Sequence, residues 1–243
     1  MQNRYTGDIG DFGKLGLLRQ LSHTGLSIGV NWYLTPDETH NGDGRHVEYL
    51  QKSDFRNCDE SLWYTLKQIV NSGLRQVSEL ESSKLLQARY YSKPLDFTGA
   101  SKAMRSSIRW EWHNLARDHL SGCDIIFVDP DNGLIVPSAQ ETPKSNKFVL
   151  PFELADYYQS GASVVYYQHK ARRPDTFYVE QHKQLLHSGA FPHAIGFGLK
   201  FNTTSQRYYF FLVHPRHART VDSCMQQMVL GEWQQHFSLL SGL

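Results

Sequence analysis

The chain has 243 residues, 40% of them hydrophobic and 20% charged, which excludes global disorder and leaves room for one large domain or two small ones. Lys+Arg 25 against Asp+Glu 24 gives a formal charge of +1, so no overall field draws it to nucleic acid, and a polyanion site has to be a local patch. No apolar run reaches the roughly 18–20 residues of a membrane span, and Met1–Gly7 lacks a signal peptide's apolar stretch, so a cytoplasmic protein is expected.

Residues 14–21 place Leu15, Leu17, Leu18 and Leu21 on one helical stripe, with Gly25 as a stop. The preceding Gly7-Asp8-Ile9-Gly10-Asp11-Phe12-Gly13-Lys14 offers two acids that can cap this helix. It also has glycines that let backbone approach a ligand. Lys14, read as a first-turn residue, opposes the helix dipole, as a cation kept for a carboxylate or phosphate would. Residues 26–34 read as a buried strand that runs into a polar, glycine-bearing loop at 35–44. A helix is expected over 59–71, with Asp59 as its cap, a strand over 88–91 and a helix over 107–120.

Ile125-Ile126-Phe127-Val128 is four apolar residues bounded by acids, the pattern of a central parallel strand covered on both faces. Asp129-Pro130-Asp131-Asn132 follows, and the proline makes a stiff turn that holds the Asp129 carboxylate at the sheet edge. Asp131 reads either as a second acid for a metal or as a turn residue. After a polar loop at 137–147 come a helix over 152–159, a strand over 163–167 and a helix over 175–188. The basic run His169-Lys170-Ala171-Arg172-Arg173 sits between the last two. Residues 194–201 and 207–213 form a hairpin pattern. The 13 Tyr, 5 Trp and 12 His fit a Tyr-rich core, or a cleft that stacks a planar ring.

Helix and strand alternate and a hairpin closes the chain, which predicts an α/β fold with a mostly parallel central sheet and a C-terminal antiparallel hairpin. One three-layer domain over 1–243, with a helical insertion around 55–120, is expected. Ligands of such sheets bind beyond the strands' carboxyl ends, which here means the 35–44 loop, the 129–133 turn and the segment after Tyr167.

The order of these signals resembles the J-type large-subunit ribosomal RNA adenine methyltransferases, over about a quarter of the chain. Tyr5, Gly7, Asp11 and Lys14 match that family's opening, and Trp32–Thr35 with Asn41-Gly42-Asp43-Gly44-Arg45 take the place of its cofactor loop. Asp129-Pro130-Asp131-Asn132 takes the place of its Asp-Pro-Pro-aromatic turn. The three-cysteine-motif partner proteins, found near bacterial genome-defence genes, look similar overall. The resemblance implies a Rossmann-like methyltransferase that uses S-adenosylmethionine and acts on RNA or DNA. In that reading Asp129, Asn132 and Lys14 are catalytic. Asp11, Thr35, Asn41, Gly42 and Gly44 hold the cofactor, and Tyr5, His169, Lys170, Arg172 and Arg173 hold the substrate. Two positions depart from the family: the loop lacks its small-x-Gly-x-Gly series, and Asn132 cannot stack a flipped base as an aromatic would. Either the target differs or methyl transfer has been lost. Two other readings use the same residues. In one, Asp8, Asp11, Asp129 and Asp131 hold Mg²⁺ in a nuclease or phosphoesterase, with His169 or Lys170 on the phosphate. In the other, the chain is an inactive module of a bacterial defence system.

Overall fold

The computed structural model describes residues 1–38, 44–203 and 205–243. Asp8 caps α1 (Ile9–Ser22), its carboxylate accepting from the backbone N–H of Gly10 (2.7 Å) and Asp11 (3.1 Å). Lys14 therefore lies in the second turn, and its expected opposition to the helix dipole falls away, because that effect fades within the first turn. Strand β1 is Ile28–Asn31, shorter than expected. The strand stops because Asn31 Oδ1 accepts from Tyr33 N (3.1 Å) and Tyr33 adopts a φ of 44°, which no extended strand tolerates.

Helices α2 (Ser53–Cys58), α3 (Glu60–Ser72) and α4 (Val77–Ser82) lead to β2 (Ala88–Tyr91). Helix α5 (Lys102–His119) then returns to β3 (Ile125–Val128). The stretch expected as a helical insertion thus contains β2, which pairs in parallel with β1. A two-residue pair, β4 (Gly133–Leu134) with β5 (Phe148–Val149), precedes α6 (Pro151–Gln159) and β6 (Ser163–His169). Helix α7 (Asp175–Leu186), the hairpin β7 (Ile195–Phe201) and β8 (Arg207–Val213), helix α8 (Pro215–Leu230) and β9 (Phe237–Leu239) complete the chain. The sequence reading assigned no element to α8 or β9.

The main sheet is mixed, with strand order β2-β1-β3-β6-β8-β7-β9. β2, β1, β3 and β6 run parallel; β8 is antiparallel to both β6 and β7, and β9 is antiparallel to β7. The hairpin's second strand therefore lies inside the sheet and its first strand farther out. From β1 the chain crosses to one side to make β2 and to the other to make β3, so the order reverses between β1 and β3. That reversal opens a crevice where ligands of open α/β sheets bind.

Period-two side chains divide the core between the two faces. Ile125, Phe127, Tyr209 and Phe211 pack on one face with Phe12 and Leu15 of α1, Leu62 of α3 and Met225 of α8. Ile126, Val128, Tyr208 and Phe210 pack on the other with Trp112 of α5, Leu154 of α6 and Tyr178 of α7. Both faces of the four-residue run at 125–128 are covered, as its unbroken hydrophobicity requires. Most of the tyrosines in these clusters serve the core rather than a ring-stacking cleft.

Close packing explains a glycine inside α1. A Cβ on Gly16 would fall 2.3 Å from Trp233 Cη2, so the indole fills the space of a missing methyl. Gly16→Ala is expected to lower stability by about 1–3 kcal/mol, the usual cost of overpacking, measured as a lower urea midpoint. An unchanged midpoint would mean Trp233 moves aside freely.

Candidate functional site

A cleft of about 370 Å³ opens over the carboxyl ends of β3 and β6. Its walls are the first turns of α1, the Asp129–Asn132 turn, Lys144 and Lys147, the end of β6 and the start of β8. This volume lies within the range of small-molecule and cofactor pockets.

The turn is held from beneath. Gln168 Oε1 accepts from Leu134 N (2.9 Å) and Gln168 Nε2 donates to Asn132 O (2.9 Å). Gly133 has a φ of +101°, and a Cβ there would meet Gln168 Oε1 at 2.2 Å, so only glycine fits. The clamp aims Asp129 along the wall toward α1. Lys14 Nζ lies 2.5 Å from Asp129 Oδ2 and 2.7 Å from Asp11 Oδ1, and 5.1 Å above the Trp32 ring. Asp11 Oδ2 accepts from Gly7 N at 2.9 Å. Two carboxylates and one ammonium, all buried, thus form a row with one net negative charge.

Burial alone would depress the Lys14 ammonium, but Asp11 and Asp129 outweigh it and hold the group above its ordinary value. Burial raises the Asp129 carboxyl against the pull of Lys14 and of the Met1 ammonium. Asp8 is likewise pushed up by burial, with Arg207 opposing.

Asp131 differs from its neighbour. It pairs with the Met1 ammonium (2.7 Å) and accepts from Gln2 Nε2 (2.7 Å). Burial pushes its carboxyl up, yet the ammonium, Gln2 and Lys147 together bring it below the usual carboxylate range. Met1 N also donates to Tyr33 O (3.1 Å) and Asp129 O (2.9 Å), tying the ends of β1 and β3 together.

Of the residues expected at the site, Tyr5, Asp11, Lys14, Gly44, Asp129, Asn132 and His169 line this one cleft. The Asn132 side-chain amide has no hydrogen-bond partner among the described residues, although its backbone is tied to Lys147 O (2.9 Å). A Cβ on Gly44 would fall 2.5 Å from Arg4 O, so this glycine lies directly against the amino-terminal segment. Thr35 is buried and bound to Met1 O through its N–H (2.9 Å), off the cleft wall. Asn41 and Gly42 lie outside the described residues. Lys170 turns away to pair with Asp175 (2.5 Å), which also takes Lys200 (2.6 Å) and the Tyr208 hydroxyl (2.7 Å). Arg172 and Arg173 are exposed beyond it, and the Arg173 guanidinium sits 5.4 Å from the Phe177 ring. The basic run therefore divides: His169 faces the cleft and the three cations after it do not line it.

Arg207, Tyr167, Lys144 and Lys147 also line the cleft, and the sequence reading did not select them. Arg207 opens a strand on a hairpin, a place where a cation ordinarily faces water, so no local signal marks it. It is buried, and its Nη1 donates to Ser205 O at 2.6 Å.

Among the described residues no three His, Cys, Asp or Glu side chains are grouped to hold a metal ion. Asp8 caps α1, Asp131 pairs with Met1, and the Lys14 ammonium stands between the other two acids, where a shared cation would have to sit. Among those residues, too, no helix is long and apolar enough to cross a membrane.

No family model and no curated protein compared with this chain matches it.

The cleft offers charges of both signs within a few ångströms, two tyrosines on its wall (Tyr5, whose ring lies 5.0 Å from the Arg4 guanidinium, and the buried Tyr167) and one uncommitted amide. Such a site suits a polar, zwitterionic ligand better than an apolar one. Its acids are paired or capping, so it favours orientation over proton transfer.

Proposed function

We propose that the chain is a Rossmann-like, S-adenosylmethionine-dependent methyltransferase acting on an amine of nucleic acid. The observation that carries this reading is the sheet: a parallel set closed by a hairpin, with a cleft over the carboxyl ends of β3 and β6 and an Asp-Pro turn on the first of these strands. A closing antiparallel hairpin on a parallel sheet is the layout of that methyltransferase class.

The residues present fit the cofactor. The cleft has the volume, and Lys14 and Arg207 stand beside Asp8 and Asp11, suiting an amino-acid zwitterion. Tyr5 and Tyr167 lie on the cleft wall. When bound, S-adenosylmethionine supplies an electrophilic methyl group. The chain's own part is alignment. The Asp129 carboxylate and the Asn132 amide oxygen accept from the target amine, which orients the nitrogen lone pair. Lys14 keeps Asp129 ionised and fixed at the end of β3. His169 and Lys144 stand on the rim where a substrate phosphate would pass, fixing position without reading sequence. The phosphoesterase reading is not favoured, since Lys14 already fills the place between Asp11 and Asp129.

Calorimetric titration of the purified chain with S-adenosylmethionine is expected to show saturable binding. Transfer of labelled methyl to RNA or DNA should fall about 100-fold or more in Asp129→Asn, the usual scale for a lost polar contact in an active site. That variant leaves Lys14 paired with Asp11 and should remain folded. Binding without transfer to any nucleic acid would favour the inactive-module reading. No binding at millimolar cofactor would end the proposal.

A further inference from the structure

Ligands of an open α/β sheet bind where the strand order reverses, which here lies between the carboxyl ends of β1 and β3. The cleft sits one strand further along, and Met1 and Gln2 fill the crevice itself. Met1 is 4% exposed and Gln2 is fully buried. The Met1 ammonium donates to Tyr33 O (3.1 Å), just past β1, and to Asp129 O (2.9 Å), just past β3, and it pairs with Asp131 (2.7 Å). Met1 O accepts from Thr35 N (2.9 Å). Gln2 Nε2 donates to Asp131 Oδ2 (2.7 Å), and Gln2 Oε1 accepts from Glu38 N (3.0 Å). Asn3 pins the far end, its Oδ1 accepting from Val77 N of α4 (3.0 Å).

Two features set this occupant apart from the sheet it covers. Its long-range polar contacts all end on residues beyond the strands, at Tyr33, Thr35, Glu38, Asp129 and Asp131, so breaking them costs no ladder bond. Tyr33, whose carbonyl meets the Met1 ammonium, also holds a φ of 44°, a left-handed conformation that a bulky residue rarely adopts and that its partners must maintain. Releasing Met1 relaxes that residue as it uncovers the crevice.

We propose that Met1 and Gln2 form an intramolecular plug that opens without unfolding the sheet and, when open, extends the cleft across β3 to the reversal point. A ligand that reaches this point, as an elongated cofactor would, competes with the plug. The competition rests on the S-adenosylmethionine reading; the opening does not.

Hydrogen exchange of the full chain, followed amide by amide, tests the opening with no ligand present. The Thr35 amide, bonded to Met1 O, should be protected at least about ten-fold less than those of Asp129 (to Asn31 O, 3.0 Å) and Leu95 (to Leu34 O, 2.7 Å), although all three residues are buried. Gln2→Ala should lower protection of Thr35 by a further factor of about ten, the scale of two lost hydrogen bonds, one of them to a carboxylate, and leave the other two amides unchanged. Equal protection of the three amides, or a change in Gln2→Ala that is absent or the same for all three, makes the plug part of the cooperative core and overturns the proposal. Gln2 does not line the cleft, so its loss removes no ligand contact there. S-adenosylmethionine should therefore bind Gln2→Ala about 3- to 10-fold more tightly than the unaltered chain, because loosening the plug raises the open fraction. Equal or weaker binding overturns the competition. Absence of binding in both chains sinks the methyltransferase reading instead, and the exchange result still decides the plug.

Discussion

Lys14→Met is expected to destabilise the chain by about 3–5 kcal/mol at pH 8, the range measured when one partner of a buried ion pair is removed. The side chain fits the same tube of space, so the loss is electrostatic. It would leave Asp11 and Asp129 with no shared cation, both buried. Asp129→Asn, by contrast, leaves a neutral pair of Lys14 and Asp11 and should cost far less. The contrast separates this triad from a simple count of salt bridges: the ammonium is the indispensable member because it serves two carboxylates.

The pH dependence gives the same prediction a sign. Burial already raises the folded Asp129 carboxyl above its ordinary value of 3.8, so the folded state holds that proton more tightly than the unfolded chain. Its contribution favours folding at low pH and is lost as pH rises through the folded value. Removing Lys14 takes away the main opposing charge and raises that value further. The deficit of Lys14→Met should therefore be small near pH 4 and grow toward neutrality. Lys14 itself contributes in the other direction. Its ammonium is held above 10.5, so its stabilisation is complete below that pH and fades only at higher pH. Urea unfolding of both chains at pH 4.5, 6 and 8 checks this, and a deficit independent of pH would refute the electrostatic account.

That Lys14 and Asp129 face one another, 115 positions apart in the chain, was legible because each follows a strong local signal. Asp129 ends an apolar run bounded by acids and is stiffened by Pro130; Lys14 follows glycines and two capping acids. A second apolar run located β6, two residues short of its end, and alternating or apolar runs located the β7–β8 hairpin. The start of α1 was less legible, because Gly10 and Gly13 are poor helix formers. Contact explains them: a Cβ on Gly13 would fall 2.7 Å from Phe201, a residue that follows nearly 190 positions later. Helix α8 escaped notice for a different reason. Its buried stripe of His217, Val221, Cys224 and Met228 is weakly apolar and lies among arginines and glutamines. At the site, Arg207 was invisible because its burial depends on Gly10, on another element. Lys170 was selected for its charge, and only the fold shows that Asp175 takes it.

A second large effect is expected far from the cleft floor, in Arg109→Met. Arg109 is buried on α5 and makes a two-pronged pair with the fully buried Glu153 of α6, Nε to Oε1 and Nη2 to Oε2, both at 2.7 Å. The same guanidinium donates to Ser145 O (2.8 Å) and Phe148 O (2.6 Å). The glutamate also accepts from Leu150 N (2.7 Å) and from the Tyr33 hydroxyl (3.1 Å), so one ion pair joins α5, α6, the loop after β1 and the segment before α6. Removing the cation strands a carboxylate in the core and frees two carbonyls, a loss of about 3–5 kcal/mol. For a chain of this length that is roughly 6–20 °C in Tm. Replacing both partners, as Arg109→Met with Glu153→Leu, should recover much of it, because an apolar pair strands no charge. The local consequence reaches the cleft. Ser145 and Phe148 sit next to Lys144 and Lys147, which line its wall, so Arg109→Met should also weaken S-adenosylmethionine binding although Arg109 touches no ligand. The double variant should restore stability yet leave that binding weak, since only the arginine holds the two carbonyls. If stability and binding recover together, the pair serves the core alone.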